Sequence, residues 1–388
     1  MTARVPQHIP ERVALGGLIA IAAAMGIGRF VYTPILPFMD ETLGLTKAQG
    51  GLIASANYLG YLVGALAASL IALPGGRRNW ILGALALSAL STGAMGLPSS
   101  MTPFLILRFI GGVASALVLV LTIAFVLDHL KAAGRMELFA VNFSGVGLGI
   151  VMSALLISGL AALGYGWQAQ WLYAGALSCM ALGLAIWLTP GDIEAPQTAA
   201  ASSAAPMDRA LIVLIVAYGL FGFGYIITAT FISAMVRSQP EIQSVEPVIW
   251  LVVGMAAIPS GLLWLWVGRR IGVGRAFSCA CLAEAAGVAL SVLVLNPAAI
   301  LLSAVLLGGT FVGITALGLV KARDLSTGNA RRDLGFMTAA FALGQIIGPT
   351  FAGYAYSIDG SFLAPSLTAA AALVLAAGLV FRDPAAAD

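Results

Sequence analysis

Three ionisable side chains, Arg29, Arg108 and Glu284, lie deep inside apolar stretches of the chain. A charge at the centre of a lipid-embedded helix costs about 2.5–3.5 kcal/mol on insertion scales, so each of them needs a partner or a task. The planar fork of a guanidinium matches a carboxylate, which makes Arg29 a candidate anchor for an anionic group on a substrate. Met25 and Tyr32 are four residues before it and three after it, so on a helix all three share a face. The alternative is a structural arginine that satisfies carbonyls at a kink near Pro34. Arg108 lies about six residues, or roughly 9 Å, into its apolar run. It can snorkel to the surface or take part in coupling. Glu284 is the one carboxylate deep in such a run. A carboxyl in hydrocarbon is costly to ionise, so Glu284 is the proton-coupling candidate. A protonated Glu bonded to a neighbouring helix is the alternative.

Weaker polar signals surround these three. Asn57 and Tyr61 are four apart; Tyr218 and Tyr225 are seven apart with Thr228 beyond them; Gln345 stands between Gly344 and Gly348. Each alone can be an interhelical hydrogen bond. Together with Arg29 they describe a cavity with a cationic anchor, hydroxyls and aromatic walls, suited to a small organic anion. Asp128 and Glu137 fall at helix ends and read as solvated charges.

The elements that would position these residues are set by composition. Of 388 residues, 60% are hydrophobic and 9% charged, against roughly 25% charged in a soluble domain. The mean hydropathy is +1.00. So little charge cannot cover a water-soluble body of this size, and much of its surface must face lipid. The 46 glycines suit membrane bundles, where small residues let backbones approach. The net charge of +3 is scattered, which gives no footprint for nucleic acid. Cys179, Cys279 and Cys281 sit in apolar runs as thiols, and His8 and His129 are the only histidines, so neither a metal nor any other cofactor is expected.

At about 20 apolar residues per crossing, the chain divides into spans near 12–38, 47–73, 79–97, 102–128, 136–162, 168–188, 210–236, 247–268, 274–295, 297–320, 333–357 and 361–381. The Pro- and Ala/Ser-rich stretch 189–209 reads as a linker between an N-terminal bundle, 1–188, and a C-terminal bundle, 210–388. Lys47 and Arg237 fall on one side of the membrane. Arg4, Arg12, Arg77, Arg78, Lys131, Arg135, Arg209, Arg269, Arg270, Arg275, Lys321, Arg323, Arg331, Arg332 and Arg382 fall on the other, which places both termini in the cytoplasm.

The halves echo one another. Gly26-Ile-Gly28-Arg29 answers Gly222-Phe-Gly224-Tyr225; Gly75-Gly76-Arg77-Arg78 answers Gly268-Arg269-Arg270; Gly145-x-x-x-Gly149 answers Gly344-x-x-x-Gly348. Internal repeats of this kind mark transporter folds, whose sites lie near the midplane between repeats. Tyr225 occupies the place of Arg29 in the second half, so the repeat itself does not demand an arginine there. Gly145-x-Gly147-x-Gly149 follows no strand and reads as helix packing, not as a dinucleotide fingerprint.

These features resemble the major facilitator superfamily over essentially the whole chain. Residues 75–78 and 268–275 are similar to its cytoplasmic loop motif, without the acidic residue before the basic pair. Arg108-Phe-Ile-Gly111-Gly112 is similar to its fourth-helix arginine motif, which is credited with coupling. GIGRFVYTPILPFM at 26–39, ANYLGYLVGAL at 56–66, YGLFGFGYIITATF at 218–231 and GQIIGPTFAGY at 344–354 resemble the bacterial YbfB/YjiJ-type branch. The resemblance implies an all-α polytopic membrane protein with twelve transmembrane helices in two pseudo-symmetric six-helix bundles. It also implies that the first, fourth, seventh and tenth helices line a central cavity.

The expectation is a secondary transporter, not an enzyme, that moves a small organic anion by alternating access. It would be coupled to protons or run as an exchanger, as a monomer in a bacterial inner membrane. An exporter of amphipathic compounds, with Met25, Tyr61, Phe221 and Tyr225 forming an apolar cavity, is the alternative; a sensor that has lost transport is a remote one.

Overall fold

The computed structural model describes residues 9–70, 76–192, 207–326 and 330–382. Arg4, His8, Gly75, residues 193–206 of the expected linker and the expected end of the second span lie outside the described residues. Thirteen α-helices make up the described chain: α1 (Ile9–Ile21), α2 (Tyr32–Leu43), α3 (Lys47–Leu70), α4 (Arg77–Ala94), α5 (Met101–Ala133), α6 (Ser144–Ala162), α7 (Trp167–Leu188), α8 (Arg209–Arg237), α9 (Glu246–Ile271), α10 (Val273–Leu293), α11 (Pro297–Leu325), α12 (Ala330–Asp359) and α13 (Leu363–Arg382). With α1 and α2 taken as one crossing, 11 segments are long and apolar enough to cross a membrane. The twelfth span is α4, whose 18 residues open on Arg77-Arg78-Asn79 and so read as less apolar than the rest. Leu90, Met180 and Trp187 are each about two-thirds exposed on the outside of the bundle, as lipid-facing side chains are.

The first span departs from the continuous helix expected over 12–38. Residues Ala22–Ile27 widen into a π-helix, and the chain turns through 28–31 before α2 resumes. Gly28 N–H reaches back five residues to Ala23 O (2.8 Å), and Phe30 N–H does the same to Met25 O (3.2 Å). Two sequence features account for the break. Pro34 has no N–H to give to the preceding turn. In addition, the backbone at Gly26 packs so closely on α6 that a Cβ there would lie 2.4 Å from Gly149 Cα. π-bulges of this type are frequent at functional sites.

The pseudo-symmetry shows in the packing. The second half repeats the Gly26–Gly149 approach where α12 meets α8, since a Cβ on Gly344 would fall 2.3 Å from Gly219 O. Similarly, α3 packs on α5 in the first half as α9 packs on α11 in the second. Gly76 (φ 89°) and Gly272 (φ 92°) start the third and ninth spans from matching left-handed positions.

The halves meet along two seams, α3 with α12 and α6 with α9. Ser55 donates to Ile346 O at 2.7 Å and Ser144 to Ile258 O at 2.9 Å. On the face of Lys47 and Arg237 the closure is ionic. Arg237 of α8 donates to both Glu41 oxygens of α2 (2.7 and 2.9 Å), lies 3.5 Å from Glu246, and stacks over Phe38 at 4.0 Å. On the opposite face Arg77 pairs with Asp128 of α5, so Asp128 is an ion-pair partner as well as a solvated charge.

Candidate functional site

The break in the first span puts Arg29 on a turn instead of a helix face, almost fully buried at 2% exposure. Its Nη2 donates to Gln345 Oε1 on α12 at 2.6 Å, a bond that crosses from one half to the other. Its guanidinium lies over the rings of Tyr61 (4.4 Å), Tyr58 (4.7 Å) and Phe30 (5.5 Å). Desolvated cation–π contacts of this kind contribute about 2 kcal/mol. Its Nε has no hydrogen-bond partner. Among the described residues, no ion pair involves Arg29 or Arg108. The middle of the bundle therefore carries two guanidinium charges without a carboxylate to answer them.

Arg108 turns away from the cavity. It spans the break in the first span, Nη1 donating to Gly28 O and Nη2 to Arg29 O, both at 3.1 Å. Tyr32 (5.0 Å) and Trp171 (6.0 Å) flank its guanidinium. It neither snorkels nor meets a carboxylate. The arginine that satisfies carbonyls at the kink is Arg108, and this leaves Arg29 free for other work. Asn57 supports the clamp by donating to Arg108 O (2.9 Å), and Tyr32 is fixed by donating to Gly50 O (2.8 Å).

A cavity of ≈ 100 Å³ opens beside Arg29 between the two halves. One wall is aromatic: Tyr61 from α3, Tyr218 and Tyr225 from α8, Phe311 from α11 and Phe341 from α12. Tyr225 lies nearly parallel to Phe311 (4°) and to Phe341 (9°), with ring centroids 5.7 and 5.8 Å away. The first half adds an apolar lining through Met25, Leu119, Ile123, Phe143 and Val146. Gln345 stands behind the wall, fully buried, and donates from Nε2 to the Tyr225 hydroxyl.

Of the residues singled out in the sequence, Arg29, Tyr61, Tyr218 and Tyr225 meet at the cavity, with Gln345 directly behind them. Tyr32, Asn57 and Arg108 form the clamp and do not line it. Thr228 is fully buried with an unpartnered hydroxyl. It lies one turn from Gly224, which faces α13. Glu284 is fully buried on α10 and neither oxygen has a hydrogen-bond partner. Thr310 is its polar neighbour on α11, but that hydroxyl already donates to Leu306 O at 2.6 Å. Sequence reasoning missed Tyr58, Phe311 and Phe341. Tyr58 was recoverable, since it precedes Tyr61 by one helical turn; the two phenylalanines look like any lipid-facing residue.

Residues 21–381 match the family model described as an uncharacterised MFS-type transporter, YbfB. The chain belongs to this family of the major facilitator superfamily. A gallate transporter from Pseudomonas putida is 28% identical to it over 184 residues, which is 45% of this chain and 39% of that protein, so the match spans well under half of the relative's length. Two crystal structures of the nucleoside transporter NupG share the fold. One, a point mutant, has a TM-score of 0.74 at 16% identity over 94% of this chain and 98% of that one. The other has a TM-score of 0.72 at 15% identity over 97% and 100%. In this member of the MFS-type family the cavity lies where the two halves of that fold meet.

Proposed function

We propose that this transporter carries a small organic anion, with an aromatic carboxylate as its preferred cargo, by alternating access between halves 1–188 and 210–388. The observation that carries this reading is Arg29, a buried guanidinium without a carboxylate partner, set at one end of a cavity whose walls are tyrosine and phenylalanine rings. A carboxylate would take the Arg29 fork in a charge-assisted bond, while a ring would lie along Tyr225, Phe311 and Phe341 in offset stacking. The Pseudomonas relative is a gallate transporter, which supports the same substrate class. Tyr61 and Tyr218 add hydroxyl-bearing rings to the lining.

The carrier is read as a monomer in a bacterial inner membrane, with the termini's face cytoplasmic and the Glu41–Arg237 face sealed to the outside. Leu119, Ile123, Leu319 and Thr338 carry the cavity lining towards the cytoplasm, which supports an inward-facing arrangement. Glu284 is the candidate proton carrier: it is a fully buried carboxyl with no hydrogen-bond partner on either oxygen, and a state that wets it would let it exchange a proton with solvent.

The apolar lining from the first half favours a second reading, export of amphipathic compounds, in which the ring stack and not Arg29 holds the ligand. Thermal shift of the purified protein against benzoate, neutral metabolites and lipophilic cations separates the two. A ligand at a hundredfold excess over Kd stabilises by about 2.7 kcal/mol. Stabilisation by benzoate that disappears in Arg29→Ala supports the anion carrier. Stabilisation by lipophilic cations alone, equal in both proteins, overturns it.

A further inference from the structure

We propose that Gln345 is an internal competitor for the substrate's carboxylate. In the empty carrier it occupies Arg29 and latches the two halves together across the membrane midplane. The proposal rests on Arg29 being the anion site, and it adds how that site is kept closed and how cargo opens it.

The orientation of the amide is dictated by its partners. A guanidinium only donates hydrogen bonds, so the Gln345 oxygen must face Arg29 and its NH₂ must face Tyr225. The Tyr225 oxygen then accepts from Gln345, which leaves the phenol's own O–H to donate elsewhere. Gln345 thus holds Arg29 through an uncharged acceptor at 2.6 Å and presets the neighbouring hydroxyl as a donor. Its backbone cannot drift, because Gly344 and Gly348 on either side pack directly on α8.

Arg29 belongs to the first half, whereas Gln345 and Tyr225 belong to the second. The Arg29–Gln345 bond is accordingly a link between the moving bodies, set on the inner side of the Ser55–Thr350 contact (2.8 Å). An amide oxygen is a weaker partner for arginine than a carboxylate. An arriving carboxylate displaces it and takes the Arg29 fork with both oxygens, so the direct link between the halves is lost as it binds. A glutamate at position 345 would be too strong a competitor, since an internal ion pair would hold the site against any external anion.

The test uses the full chain with Gln345→Leu and Gln345→Glu, and Gln345→Met if leucine impairs folding. Benzoate binding is the first readout. A cysteine pair, Ser55→Cys with Thr350→Cys, supplies the second, with its disulfide measured by mass spectrometry in the absence of any ligand. The native Cys179, Cys279 and Cys281 lie on α7 and α10, away from this seam.

Gln345→Leu is expected to bind benzoate about fivefold more tightly, the worth of one hydrogen bond no longer displaced, and to form the disulfide more slowly. Gln345→Glu is expected to lose benzoate binding and to form the disulfide faster. Loss of benzoate binding in Gln345→Leu, matching Arg29→Ala, would make Gln345 a direct ligand contact and overturn the proposal. Equal disulfide rates in all three proteins would overturn the latch. If benzoate fails to bind even the unaltered protein, the substrate reading has failed, and the disulfide rates still decide the latch.

Discussion

Arg108 donates to the carbonyls of Gly28 and Arg29 at 3.1 Å each, so one buried arginine holds the backbone that presents the other. Hydrogen bonds to a charged group contribute about 1.5–3 kcal/mol apiece. Arg108→Ala is therefore expected to destabilise the protein by about 3–5 kcal/mol and to weaken anion binding through the displaced Arg29. Lysine cannot serve two carbonyls with a fixed fork, so Arg108→Lys should recover only part of the melting temperature and little of the binding. Thermal unfolding in detergent, paired with benzoate binding, checks both.

A Cβ at Gly149 would lie 2.1 Å from Ala22 O, and one at Gly344 would lie 2.3 Å from Gly219 O, each in the matching helix contact of its half. Neither neighbour can yield, because both are backbone within packed helices. Gly149→Val and Gly344→Val should each cost at least about 3 kcal/mol by overpacking. Gly83 meets nothing within 4 Å, so Gly83→Val is the tolerated control. Yield of monodisperse protein and its melting temperature are the measurements.

The twelve-span plan was legible because each helix must bring its own uninterrupted apolar run, and Gly-x-x-x-Gly marked the tight contacts in both halves. Arg29, Tyr61, Tyr218, Tyr225 and Gln345 were legible because a polar group inside hydrocarbon needs a reason to be there. Roles were harder to read. Arg29 and Arg108 have the same chemistry at similar depth, and only the unwinding at Ala22–Ile27 decides which one meets carbonyls and which meets the cavity. That unwinding depends on how closely Gly26 can approach Gly149, a contact between residues far apart in sequence. Phe311 and Phe341 were invisible for a related reason, since hydropathy cannot separate a ring facing lipid from one facing a substrate.

Tyr61 and Tyr58 lie over the Arg29 guanidinium at 4.4 and 4.7 Å. Tyr61→Phe keeps the ring face and should bind benzoate within about threefold of the unaltered protein, whereas Tyr61→Leu removes a cation–π contact worth about 2 kcal/mol. That loss should show as a lower melting temperature and weaker binding together. A phenylalanine variant as impaired as the leucine variant would move the role from the ring to the hydroxyl.

Glu284 is fully buried beside a Thr310 hydroxyl that is already committed to Leu306 O. The amide is isosteric with the carboxyl and should leave the fold intact, so Glu284→Gln should melt within about 1 kcal/mol of the unaltered protein. If Glu284 carries the coupled proton, Glu284→Gln proteoliposomes should exchange labelled benzoate yet fail to accumulate it under an imposed pH gradient. Unchanged accumulation would leave Glu284 a purely structural group.

Arg237 joins Glu41 in a two-bond pair across the halves, with Glu246 and the Phe38 ring completing its surroundings. Glu41 is 59% exposed, so the pair is screened and its worth to global stability is modest, about 0–1 kcal/mol. Its effect on the balance between two conformations is larger in consequence, because a shift of 1.4 kcal/mol changes a population ratio about tenfold. Arg237→Ala should therefore leave the melting temperature almost unchanged while opening this face more often. Thr230, which lies beneath the pair and contacts Tyr58 at 3.5 Å, becomes the one thiol when Thr230→Cys is made in a protein whose Cys179, Cys279 and Cys281 are replaced by serine, and its rate of labelling with a membrane-impermeant maleimide reports that opening. Labelling should be slow in the Thr230→Cys protein and several-fold faster once Arg237→Ala is added. Raising salt should speed labelling only where Arg237 is present, since screening acts on the pair and not on its absence. Identical rates with and without Arg237 would show that the packed Ser55–Thr350 and Thr33–Ala229 contacts hold this face shut unaided.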